Sequence, residues 1–412
     1  MSYLQLNNIQ NSGTIVGSID ASGVNVPTPD FVSYRNDPST TPGIPKGTSY
    51  VSTINAVSDN FQVPSIYKLN FSYNRFFNSR FRAGINLLWS KTVNNYVYYD
   101  RNIVDEPYFR LSNEANRGVY VPANTIPANG STDWTKGRKS TELGRVLVLE
   151  STGQLDQMAV VIDASMKIGK DGYFTISYTK NDTKDNSSFN CCVANTSTFR
   201  PVVDDPRDQT VSYSDDQFSD KLVVSAATPT LRGFQLGAIL NGVGGTRYSF
   251  LVGGNKSING DFVLTNDLAY VFDPNGVNVP EAVKKGIQGL LDNPDVTESV
   301  KNYVIENIGK VAQRNGGINP FYYTIDLRLT KEFKISKKHN FALSADCFNF
   351  TNLLNKENGI SYNHGNVNLT SMVGFDQVTK NYTYNVETGA GRKLSTAGGT
   401  PWRIQLGLRY GF

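Results

Sequence analysis

An alternation with a period of two residues constrains this chain more than any other feature. Trp402, Ile404, Leu406, Leu408, Tyr410 and Phe412 are apolar, and Arg403, Gln405, Gly407, Arg409 and Gly411 stand between them. Side chains of a strand point alternately to its two faces, so this pattern predicts an extended strand with one apolar and one polar face. The same phase recurs in Tyr67, Leu69, Phe71 and Tyr73, and again in Phe81, Ala83, Ile85, Leu87 and Trp89. It continues in Met158, Val160, Ile162, Ala164 and Met166, in Tyr323, Ile325, Leu327 and Leu329, and in Phe341, Leu343, Ala345 and Cys347. Tight connections near 78–79, 169–172, 229–233 and 335–338 separate pairs of these segments. They alternate strictly with long polar connections over roughly 100–144, 182–217, 251–320 and 352–401.

Composition narrows the setting. Charged residues make up only 18% of the chain, while 22 Tyr and 22 Phe are present, a balance unlike that of a soluble enzyme. No run of about 18 apolar residues occurs, so no transmembrane helix is expected. A chain that spans a bilayer without helices must close into a barrel, because only closure satisfies every backbone N–H and C=O in lipid. The expected fold is therefore all-β: an antiparallel transmembrane β-barrel, partial and of the large outer-membrane type, with long extracellular loops. A barrel of this kind has short periplasmic turns and long outer loops. On that count the last strand runs downward and Phe412 ends on the periplasmic side. About nine strands are legible, an odd number where bacterial barrels have an even one.

Residues 1–62 are expected to be an extracellular loop or an incomplete first strand, with Tyr3–Ile9 as a candidate for the latter. Residues 63–412 are expected to form the C-terminal part of the barrel. A short helical insertion falls at 280–313, where Pro280–Leu291 and Val296–Gln313 read as two short helices, with Val300, Tyr303, Val304 and Ile308 at helical spacing. The first residues carry neither the basic nor the apolar region of a signal peptide, so the sequence is expected to begin within a longer protein. A net charge of +4 spread along the chain gives no basic face for nucleic acid.

Catalytic chemistry is hard to find. The two histidines, His339 and His364, have no Cys partner at zinc spacing. No nucleophile elbow, phosphate-binding loop or metalloprotease helix is present. The chain is not expected to be an enzyme, nor to carry a cofactor or a structural disulfide; Cys191 and Cys192 are adjacent, and neighbours rarely bridge. Asp204–Asp205 and Asp215–Asp216 read as solvated loop acids. Within Asn255–Asp267 (NKSINGDFVLTND), Asp261 and Asp267 are weak calcium candidates, with Lys256, Ser257 and Ile258 at positions where ligands would be expected. Asp326, Arg328 and Asp346 fall on the predicted lumen face of neighbouring strands. They would contact water or a plug there, or form a salt-bridge ladder across strands.

Several segments resemble one family. FQVPSIYKLNFSYNR (61–75), the block from GFQLGAIL to TNDLAYV (233–271), RNGGINPFYYTIDLRLTKEF (314–333) and ADCFNFTNLLN (345–355) are similar, in that order, to the barrel of Oar-like TonB-dependent transporters. The terminal WRIQLGLRYGF resembles the signal read by the barrel assembly machinery, with Trp402, Leu406, Leu408, Tyr410 and Phe412 as its apolar positions. The resemblance implies the barrel portion of an outer-membrane receptor or transporter for a small-molecule, peptide or glycan ligand. It also implies a plug and a TonB-coupling segment, neither of which is visible in this sequence. Such barrels have about 22 strands. Rival readings are an adhesion or structural barrel, a passive porin-like barrel and, least favoured, a soluble β-sandwich.

Overall fold

The computed structural model describes residues 15–16, 31–37, 52–186, 188, 193–207, 210–336, 339–361, 363–392 and 401–412. The segment Tyr3–Ile9 and the pair Cys191–Cys192 lie outside these residues.

Nine long strands carry the architecture. They are β1 (Ser65–Phe76), β2 (Phe81–Asp100), β3 (Leu143–Ile168), β4 (Gly172–Asp185), β5 (Asp220–Ala227), β6 (Phe234–Val243), β7 (Tyr322–Lys334), β8 (Asn340–Phe348) and β9 (Arg403–Gly411). Each pairs antiparallel with the next in sequence, giving one continuous meander. Among the described residues β1 pairs only with β2, and β9 only with β8, so both edges are open.

Short turns set the register at one end. Asn78 turns the chain by accepting the backbone N–H groups of Arg80 at 2.8 Å and Phe81 at 2.9 Å through its side-chain oxygen. Gly169 sits at φ 61° between β3 and β4, a left-handed conformation that glycine adopts without Cβ strain. The adjacent turn is tied to it where the Thr230 backbone N–H donates to Asp171 Oδ1 at 3.0 Å.

That register keeps each face consistent across the sheet. Phe81, Met166, Phe174, Ala226, Ala238, Leu327, Cys347 and Ile404 are successive cross-strand neighbours from β2 to β9. A second row links Ala83, Ala164, Ile176, Val224, Leu240 and Ile325. A one-residue slip would carry every one of these side chains to the other face. The apolar face is open to its surroundings: Leu69, Phe71, Ile162, Leu236, Leu329, Leu406 and Leu408 are all exposed, Leu406 at 79%.

The long connections fold into a cap at the other end. Its core contains Leu111, Val119, Val121 and Ile126 from the first connection, Tyr248, Phe250, Val252, Ile287 and Tyr303 from the third, and Leu369, Met372 and Phe375 from the fourth. Phe250–Gly253 pairs in parallel with Val367–Ser371, and the latter strand pairs antiparallel with Asn381–Val386. The second connection joins through Val202, whose N–H donates to the Asn266 carbonyl at 2.9 Å. Two helices pack on this core: α1 (Glu281–Asp292) buries Val283, Ile287 and Leu290, and α2 (Glu298–Asn307) buries Val300, Tyr303 and Val304.

Two expectations need correction, the end of the second helix and the reading of residues 1–62. The second helix ends at Asn307 and not at Gln313, because Gly309 turns the chain at φ 75° and Lys310–Val311 becomes a strand against Tyr270–Val271. The first long connection falls where expected, with β2 running to Asp100 and β3 starting at Leu143. Within residues 1–62, Ser52–Val57 is a strand, but it pairs in parallel with Leu143–Leu149 at the start of β3 and does not begin the meander.

Candidate functional site on the polar face and its cap

Opposite the apolar face, the same alternation builds a polar one. Ser72, Asn86, Asp163, Ser177, Thr179, Asn241, Thr324, Asp326, Arg328, Ser344, Asp346 and Gln405 share it by register. Arg328 and Asp346 are direct cross-strand partners, and the guanidinium grips the carboxylate through both Nε and Nη2, the latter at 3.0 Å. Asp346 is nearly buried beneath an arginine that is 62% exposed along its side chain. Asp326 is not part of this pair; its Oδ1 accepts the Asn349 backbone N–H at 2.8 Å and anchors the chain as it leaves β8. The three residues thus share a face, but only two form a rung.

A second rung escaped notice in the sequence. Arg82 bonds Asp163 on β3 and Asn74 on β1, linking three strands on the polar face. Its signal was available: Arg82 and Asp163 both fall in the polar phase of their strands. Because Asp346 is buried and Arg328 is not, the two truncations should differ. Asp346→Ala is expected to cost about 1 kcal/mol, in the range of a partly exposed pair. Arg328→Ala should cost more, about 1–3 kcal/mol, because it strands a desolvated carboxylate. Urea unfolding in detergent checks the order.

The C-terminal positions lie along the apolar face. Leu406, Leu408, Tyr410 and Phe412 are exposed, and the Tyr410 ring packs 4.8 Å from Phe341 and 5.8 Å from His339. The Tyr410 hydroxyl lies 2.5 Å from His339 Nδ1. Trp402 precedes β9, and its backbone N–H reaches Asn352 Oδ1 at 3.3 Å. Cys347 is a free thiol on the apolar face.

In the cap, Asp261 and Asp267 are brought together by a tight loop. Asp261 Oδ1 accepts from Val263 N–H at 2.7 Å and Ser257 Oγ at 3.2 Å, and Asp267 Oδ2 accepts from Ile258 N–H at 2.7 Å. Burial, and then the charge of Asp267, pushes the Asp261 carboxyl far above the usual range. Burial raises Asp267 as well, with Arg117 opposing. Of the acids expected to be solvated, Asp215 and Asp216 are exposed and Asp204 and Asp205 half-buried, and three of them also hold contacts in the cap. Asp204 accepts the Gly118 N–H at 2.6 Å, Asp205 grips Arg207 at 2.8 Å, and Asp215 accepts from Asn315 Nδ2 at 2.5 Å.

A meander that is apolar on one face, polar on the other, short-turned at one end and long-looped at the other is the construction of a transmembrane β-barrel wall. Among solved structures, the chain is similar to the outer membrane transporter YddB from Escherichia coli, with 10% identity, a TM-score of 0.40 and 87% of this chain covered. It is also similar to the FrpB iron transporter from Neisseria meningitidis, with 10% identity, a TM-score of 0.38 and the same 87% coverage. The chain spans about a third of the length of each, 34% and 33%. No protein-family model and no curated protein sequence matches it.

Proposed function

We propose that this chain is part of the wall of an outer-membrane transporter of the TonB-dependent kind. Its polar face borders the path of a ligand taken up from outside. The single observation that carries the membrane reading is the apolar face, which leaves large side chains exposed on eight of the nine strands, where soluble monomers rarely leave large contiguous apolar patches open. Lipid is the partner that fits it, and the terminal positions Trp402 to Phe412 then serve as the signal for barrel assembly.

Strand parity supports a larger barrel. In a meander of nine strands β1 and β9 run in the same direction, so joining them directly would make a parallel seam. Antiparallel closure needs an odd number of further strands, and closure is obligatory in lipid. The motifs at 61–75, 233–271, 314–333 and 345–355 favour the TonB-dependent class, in which a plug supplied outside these residues would cover the polar face. A folded cap at the long-loop end fits a ligand-selecting entrance better than an open pore.

Deletion of the gene, of tonB and of both, compared across a panel of scarce nutrients, tests this reading. The expected result is a growth defect on one nutrient that is no worse in the double deletion. Steady single-channel conductance of the purified full-length protein, with a phenotype independent of tonB, would establish a passive pore and overturn it.

A further inference from the structure

We propose that the cap holds a calcium ion between Asp261 and Asp267, with the side-chain carbonyl of Asn266 as a third ligand. The two carboxylates are 4% and 2% exposed, and neither takes part in an ion pair among the described residues. Of the guanidiniums whose charge reaches them, Arg117 donates through Nη2 to the Leu268 carbonyl at 2.6 Å and pairs through Nε with Glu114 at 3.7 Å, and Arg145 pairs with Asp100 at 3.2 Å. Every hydrogen bond described for the two aspartates comes from a neutral donor. Buried carboxylates are ordinarily paired with a cation or bound to a metal, because an isolated buried charge is very costly.

A separate observation points to a ligand. Asn266 is 0% exposed, and its Nδ2 lies 3.3 Å from Asp261 Oδ2, which sets its amide head against the carboxylate. Its Oδ1 is buried with no partner. A buried amide oxygen without a donor, next to two carboxylates outside any described ion pair, makes a set of hard-oxygen ligands. Among the described residues no three acidic, His or Cys side chains gather at one point, so the third ligand has to be an amide or hydroxyl oxygen. The loop offers no nitrogen or sulfur ligand for zinc. A flexible set of carboxylate, amide and hydroxyl oxygens, with Ser257 in reach of Asp261, suits calcium better than the smaller, water-retaining magnesium.

The position gives the ion something to hold. The Asn259 carbonyl accepts the Tyr120 N–H at 2.7 Å from the first connection, and the Asn266 carbonyl accepts Val202 N–H from the second. Calcium at 261 and 267 would lock three connections into one cap.

Terbium luminescence tests the site in the full-length protein, purified in detergent and stripped with EGTA. Trp134 lies edge-on to Phe262 at 5.3 Å and is placed to sensitise a bound lanthanide. Excitation of tryptophan should give terbium emission that CaCl2 displaces and MgCl2 does not. CaCl2 should also slow proteolysis of the cap. Asp261→Asn and Asp267→Asn should abolish the emission. Asn266→Ala, which keeps both charges and guards against a folding defect, should weaken terbium binding roughly 10-fold. Asp204→Asn, an acid elsewhere in the cap, should leave it unchanged. Absence of calcium-displaceable emission in the wild type, or emission unaltered by all three site variants, would overturn the proposal.

Discussion

Replacing Ile162 by arginine is expected to destabilise the membrane-embedded protein by about 2–4 kcal/mol, the cost of a cation on the lipid face near the bilayer midplane. Ile162 lies on the apolar face of β3, 55% exposed, with Ile85 and Tyr178 as its cross-strand neighbours. In water such a position would accept arginine at almost no cost, since no packing is lost. In lipid the guanidinium has neither water nor a partner. The control is Thr179→Arg, one residue along the neighbouring strand on the polar face, expected to change stability by no more than about 0.5 kcal/mol. Urea titration in lipid vesicles gives both values. Equal effects at the two positions would mean that the faces do not differ in solvent.

Tyr303→Ala is expected to open the cap while leaving the sheet paired. The ring is 2% exposed, stacks on Phe250 at 4.1 Å, meets Tyr248 at 5.8 Å and donates its hydroxyl to the Gln313 carbonyl. Losing a large buried aromatic costs about 3–5 kcal/mol, of the same order as the whole stability of a small folded unit. Hydrogen exchange should then rise over 246–320 and 363–392 and stay low in β7 and β8. Tyr303→Phe keeps the packing and removes one buried hydrogen bond, so a loss of about 1 kcal/mol and a closed cap are expected. Exchange that rises in cap and sheet together would show that they form a single cooperative unit.

These two substitutions also mark where the sequence was legible. Ile162 belongs to a strand that announces itself, because alternation is a local property set by the pleat. All nine strands, their short turns and the polar placement of Asp326, Arg328 and Asp346 follow from it. The helical insertion was legible for a similar reason, with Val300, Tyr303 and Val304 at helical spacing in α2. The packing of Tyr303 is different. Phe250 is 53 residues away in sequence, and the strand that packs beside it, Val367–Ser371, lies more than a hundred residues further along. Parallel pairing between two loops leaves no local period. The same holds for Ser52–Val57 against Leu143–Leu149, whose register depends on a distant partner. Asp261 and Asp267 could be singled out by residue type alone, but the unpaired oxygen of Asn266 emerges only once the cap is folded around it.

The central claim is that one face of the sheet meets lipid and the other does not. Nitroxide labels placed singly at 404, 405, 406, 407 and 408 of the full-length, cysteine-free protein in bilayers test it most directly. Collision rates with apolar oxygen should peak at 404, 406 and 408, and rates with a water-soluble nickel complex should peak at 405 and 407 wherever water reaches the polar face. Ready access of the nickel complex to 404, 406 and 408 would contradict the account.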